Sequence, residues 1–142
     1  MRDINILAVI VATASSFFLG GLWYSPALFG RAWGRAAGLG DGGPGGAGGE
    51  GGKDCHPHPA RVFVVAILFS LIAATAFALM LGPRPALGFA LEQGAIVGAC
   101  FVAASFGINY QFADRKPLLW LIDGGYHTVQ FLLFGLVLGL WH

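Results

Sequence analysis

Charge is what this sequence has least of. Only 7 acidic and 8 basic residues occur among 142, so 11% of the chain is charged against 56% hydrophobic, where a soluble domain carries roughly a quarter charged residues. A soluble globular class is excluded and a membrane class is indicated. The formal net charge is +1 and the eight Lys and Arg are scattered, so the clustered basic surface that neutralises phosphates is missing and a nucleic-acid partner is excluded. Cysteine is scarce too. Cys55 lies in a glycine-rich connection and Cys100 in an apolar run, which makes no disulfide framework and marks no oxidising compartment.

Cofactor fingerprints are also lacking. "GLGDGG" at 38–43 satisfies G-x-G-x-x-G, but no strand precedes it and no helix starts on it, so the phosphate-cradling mechanism is absent. "GGK" at 51–53 is followed by Asp54, where a P-loop needs Ser or Thr. No cofactor is expected. "DCHPHP" at 54–59 places Cys55, His56 and His58 close together as weak candidates for a soft divalent metal. Adjacent ligands stiffened by prolines, with no second Cys or His pair, fit a solvated turn before a helix better, so no metal site is expected.

What is present is four apolar runs, at 4–24, 62–81, 87–110 and 118–141. Each supplies about 20 residues, which at 1.5 Å per residue crosses a hydrocarbon core of roughly 30 Å. The first two carry no charge; Glu92 is alone in the third and Asp123 in the fourth. The expected fold class is all-α, an integral membrane bundle of four transmembrane helices in one domain over 1–142. The first run reads as a span rather than a signal peptide, being too long for an h-region and ending on "WYSP" instead of small residues. Ten glycines within 38–52 predict a flexible linker between the first two spans.

Small residues recur every fourth position in each run: Ala12, Ser16, Gly20; Ala66, Ser70, Ala74, Ala78; Gly94, Gly98 beside Ala95, Ala99, Ala103, Gly107; and Gly135, Gly139. Such stripes let helices approach closely in lipid, so a compact bundle is expected. A short repeat also occurs, "GLWY" at 21–24 and "GINY" at 107–110, each closing an odd-numbered span at the same membrane side. It suggests two helix pairs related by an axis along the membrane normal.

The fourth run begins with polar groups, "LIDGGYHTVQ" at 121–130. Asp123, His127 and Gln130 fall at i, i+4 and i+7 and share one helix face. Ser105, Asn109 and Tyr110 of the third run reach the same depth, as do Tyr126 and, from the first run, Trp23 and Tyr24. The expectation is a polar cluster in the cytoplasmic half of the bundle. In a structural reading, Asp123 pairs with His127 or with Arg115 or Lys116 and fixes helix order; in a functional one, Asp123 and His127 form a proton-accepting pair, because intramembrane acids are costly and usually paired or functional. Glu92, an outer acidic candidate, reads as a hydrated interfacial acid.

Arg31, Arg35, Lys53, Arg61, Arg115 and Lys116 lie in the first and third connections, and only Arg2 and Arg84 on the other side. The positive-inside rule then places both termini outside the cytoplasm. Trp23, Tyr24, Trp33 and Trp120 read as an aromatic belt at the cytoplasmic boundary.

The segments "INILAVIVATASSFFLGGLWYSPALFGRAW" and "FGINYQFADRKPLLWLIDGGYHTVQFLLFGLVLGLW" resemble the bacterial membrane family catalogued as domain of unknown function 1761. The resemblance implies a four-helix protein of the bacterial inner membrane with no assigned activity. The glycine-rich tract departs from that family's charged, helix-prone first connection. Three functions are carried forward: a small binding or helper module, in contact with the lipid bilayer and a small-molecule or protein ligand of unknown identity; a proton-linked carrier or channel acting as a homo-oligomer; and an enzyme using Asp123 and His127 as acid and base.

Overall fold

The computed structural model describes residues 4–38 and 59–141. Cys55, His56, His58 and all of the glycine-rich tract but Gly38 lie outside the described residues. Regular structure among the described residues is entirely helical. Helix α1 is Ile6–Trp23, α2 is Gly30–Ala37, α3 is Pro59–Leu81, α4 is Leu87–Phe112 and α5 is Pro117–Leu140. All but α2 are long and apolar enough to cross a membrane. Large apolar side chains such as Phe18, Phe63 and Phe101 face outward, as in a multi-pass membrane protein whose surface contacts lipid.

Helix boundaries follow local chemistry. Asn5 caps α1 by accepting the Ala8 N–H on its side-chain oxygen at 3.1 Å, satisfying an otherwise orphaned donor. Pro117 opens α5 at a position that needs no N–H. Gly82 ends α3 with φ +77°, the left-handed conformation that releases the chain into a turn.

α5 is the central helix and packs against α1, α2 and α4, with α3 touching it lightly. The α4–α5 contact is close because glycines meet backbone from both sides. A Cβ at Gly94 would lie 2.5 Å from the Phe131 carbonyl oxygen, and one at Gly98 would lie 2.6 Å from Thr128 Cα. In return Gly135 faces the Ala90 backbone, and a Cβ at Gly139 would lie 3.1 Å from Leu87 Cα. Without a hydrophobic force between helices in lipid, such contact is what holds a pair together.

α4 is not a regular helix. Ile96–Ala103 forms a π-helical segment, and the reason is legible in its small residues. The buried positions of α4 are Ala90, Gly94, Gly98 and then Ala103, a step of four, four and five. The contact thus begins on the Gly94 and Gly98 stripe and continues on the Ala103 and Gly107 stripe, offset by one residue. A wide turn with i to i+5 bonding absorbs the extra residue.

α3 is peripheral. Ala74, Phe77, Ala78 and Leu81 join the core formed with Ala8, Ala12, Phe131, Phe134 and Leu138, whereas every residue over 60–69 is exposed. The stripe expected on α3 is therefore used only in its second half, and Ala66 faces outward.

The short helix α2 has no apolar run to announce it. A tight turn returns the chain from α1, with the Phe29 N–H donating to the Trp23 carbonyl at 3.1 Å and the Gly30 N–H to the Ser25 carbonyl at 2.9 Å. Any side chain at Gly30 would strike the carbonyls of Tyr24 and Ser25. α2 then lies on the start of α5 with Gly30, Gly34 and Ala36 buried, so tertiary contact rather than propensity forms it.

Candidate functional site

Asp123 lies less than two turns from the start of α5 and is 6% exposed. Its Oδ1 accepts the Tyr24 hydroxyl at 2.7 Å and the Trp33 indole N–H at 2.9 Å, and its Oδ2 accepts the Tyr110 hydroxyl at 2.7 Å. The donors come from the C-terminal ends of α1 and α4 and from the middle of α2, so one carboxylate ties three elements to α5. Three donors and no acceptor around it match the acceptor-only chemistry of a carboxylate. Tyr24 and Tyr110 are the last residues of the "GLWY" and "GINY" repeat, whose two copies thus converge on the same side chain.

The surrounding aromatics also donate inward. Trp23 Nε1 reaches the Ile122 carbonyl at 3.1 Å, Trp120 Nε1 the Ala103 carbonyl at 2.7 Å, and the Tyr126 hydroxyl the Ser16 carbonyl at 3.1 Å. The polar atoms of Trp23, Tyr24, Trp33 and Trp120, expected as an aromatic belt, all bond within the protein. Trp33 was not among the expected cluster residues. Its sequence signal is its setting between Gly30, which the preceding turn leaves no room to substitute, and the buried Gly34.

His127 does not bond to Asp123, contrary to the expected pair. The Asp123 oxygens are engaged by ring donors, and the imidazole turns along the helix instead, with Nδ1 at 2.8 Å from Gln130 Oε1. The ring stacks on Phe106 at a centroid distance of 4.9 Å and meets the edge of Tyr126 at 5.0 Å. Arg115 and Lys116 are exposed and do not pair with Asp123. A carbonyl oxygen only accepts, so Nδ1 carries the proton of that bond and Nε2 of the neutral ring carries a lone pair. No described side-chain nitrogen or oxygen is buried without a partner. His127 Nε2 and the Gln130 amide nitrogen bond to no group among the described residues; His127 is half-buried and Gln130 is 4% exposed.

Asp123, Tyr110, Tyr126, His127 and Gln130 are thus brought together, but Ser105 and Asn109 are not. Both are exposed, and the Ser105 hydroxyl bonds back to its own helix at the Phe101 carbonyl. They share the depth of the cluster but lie across α4 from Phe106 and Tyr110, which face α5; depth alone does not choose a face. Glu92 is exposed near the opposite end of the bundle. A cavity of about 520 Å³ opens at that end with Asn5, Arg84 and Trp141 on its rim, away from the polar segment. Cys55, His56 and His58 lie outside the described residues, and among the described residues no group of three His, Cys, Asp or Glu gathers.

With this arrangement in view, comparison with known families is informative. The family model described as Protein of unknown function (DUF1761) matches residues 7–139. The chain belongs to this family. The match runs from α1 to the end of α5, so every residue of the Asp123 cage lies within it. No curated protein and no solved structure matches the chain. The DUF1761 family brings no activity with it, and the chemistry has to be read from the side chains.

Proposed function

We propose that this DUF1761 protein is a binding or helper module of a bacterial inner membrane, with a fixed polar knot and a recognition edge set side by side on α5. One observation carries the reading. Asp123 is saturated by three donors, whereas His127 and Gln130, one and two turns deeper, bond to each other and keep one nitrogen each without a partner among the described residues. An unpaired polar atom within a membrane-spanning bundle is costly and calls for an occupant. Catalysis by a directly bonded Asp and His pair is not supported, since the two do not bond to each other. Arg31, Arg35, Arg61, Arg115 and Lys116 at the Asp123 end support a cytoplasmic placement of that end.

The test is thermal unfolding in mild detergent before and after exhaustive washing. A bound ligand stabilises by mass action, so washing is expected to lower the midpoint and a membrane lipid extract to restore it in the wild type but not in His127→Phe. Equal midpoints before and after washing would remove the basis for a binding module.

A further inference from the structure

At the end of the bundle away from Asp123, the cavity of about 520 Å³ is bounded by both apolar and polar side chains. Its volume falls within the range of small-ligand sites, about 300 to 1,000 Å³. Its apolar lining includes the buried Ala8, Leu81 and Leu138, while Asn5, Arg84 and Trp141 stand exposed on its rim. The polar side chains of that rim are donors. Three of the four tryptophans give their indole N–H to an acceptor within the protein, namely Trp23, Trp33 and Trp120. The indole of Trp141 and the guanidinium of Arg84 bond to nothing among the described residues. Asn5 spends its side-chain oxygen on the Ala8 N–H, which leaves the amide nitrogen as its free end. No described carboxylate lines the cavity. Donors of this kind, one of them carrying a full charge, suit an oxyanion.

Arg84 is placed there against two tendencies. It lies between Pro83 and Pro85 with φ +52°, a left-handed backbone that is uncommon outside glycine and asparagine and that collects at binding sites. Every other described lysine or arginine lies at the Asp123 end of the bundle, so Arg84 stands alone on its side. α1 begins at the cavity and α3 and α5 end beside it, so in a bilayer it opens at the level of the headgroups. The abundant oxyanion at that level is a lipid phosphate. The apolar lining suits the glycerol and acyl groups joined to it, which free phosphate lacks.

We propose that this cavity is a second site, separate from His127, for a phosphate-bearing lipid head, with the phosphate against Arg84 and the apolar part of the lipid over Ala8 and Leu138. One guanidinium at a hydrated rim holds such a head weakly and in exchange with the bilayer, so the lipid is supplied in excess rather than sought on the purified chain. The test titrates dioctanoyl phosphatidylglycerol, dioctanoylglycerol and inorganic phosphate separately into the full chain in a nonionic detergent. The Trp141 indole N–H is followed by NMR, its signal assigned by its loss in Trp141→Phe. Phosphatidylglycerol is expected to shift it saturably and to bind about fivefold tighter than the phosphate-free lipid, the effect of one exposed charge pair. Inorganic phosphate is expected to bind more weakly than phosphatidylglycerol.

Equal binding of the two lipids would overturn the role of the phosphate, and inorganic phosphate binding as tightly as the lipid would overturn the lipid assignment. No saturable shift with any of the three would overturn the site itself, and none of these results touches the reading of His127. Arg84→Asn, which tolerates the left-handed backbone and removes the charge, is expected to erase the fivefold preference; a preference that survives would overturn the assignment to Arg84. The comparison among the three probes on the wild type needs no variant.

Discussion

Asp123 has three donors aimed at two oxygens, and asparagine in its place keeps most of that geometry. Its amide oxygen still accepts from Tyr24 and Trp33, and its amide N–H donates to Tyr110 once that hydroxyl reverses its proton. Asp123→Asn is therefore expected to cost about 1 kcal/mol, the difference between charge-assisted and neutral hydrogen bonds. Asp123→Ala strands the Tyr24, Trp33 and Tyr110 donors together and is expected to cost about 3 kcal/mol or more. Thermal unfolding in detergent checks both, with the midpoint of the alanine variant falling about 10 °C. Equal midpoints for the two variants would show that the rings do not depend on the carboxylate.

At the scale of the element, the bend in register within α4 makes the most specific claim. The π segment accommodates one residue more than a regular helix between Gly98 and Ala103, so deleting Cys100, which is exposed, should leave a regular helix that keeps both glycine contacts and the Tyr110 bond. Deleting Ile108, also exposed, rotates Tyr110 away from Asp123. The first deletion is expected to hold the unfolding midpoint within about 5 °C, and the second to lower it well beyond that. A loss on deleting Cys100 as large as that on deleting Ile108 would show that the wide turn itself is required.

The four long helices were legible because about 20 apolar residues in a row leave the chain few alternatives in lipid. The polar face of α5 is legible in the i, i+4, i+7 spacing, and the nearness of Tyr24 and Tyr110 to it in their shared depth. The misses have physical causes. α2 has no apolar run, because four of its eight residues are arginines or glycines. Ser105 and Asn109 were assigned by depth, which orders residues along a helix but does not rotate them onto a face. The switch between the Gly94 and Ala103 stripes was visible as two offset stripes, yet composition alone does not say that one helix uses both in turn.

At the scale of the whole molecule, four spans would put both chain ends on one side of the membrane, and the positive-inside rule predicts which. A reporter fused after His142 is expected to be active only outside the cytoplasm; cytoplasmic activity would invert the placement of the Asp123 cage.

Asp123 and His127 sit one turn apart, and the division of labour between them is the central claim: Asp123 binds the helices to one another, and His127 binds something else. Native mass spectrometry of gently purified wild type, Asp123→Asn and His127→Phe compares them most directly. The same bound species is expected on the wild type and on Asp123→Asn, with His127→Phe folded and bare. A bound species that disappears from Asp123→Asn and persists on His127→Phe would contradict it.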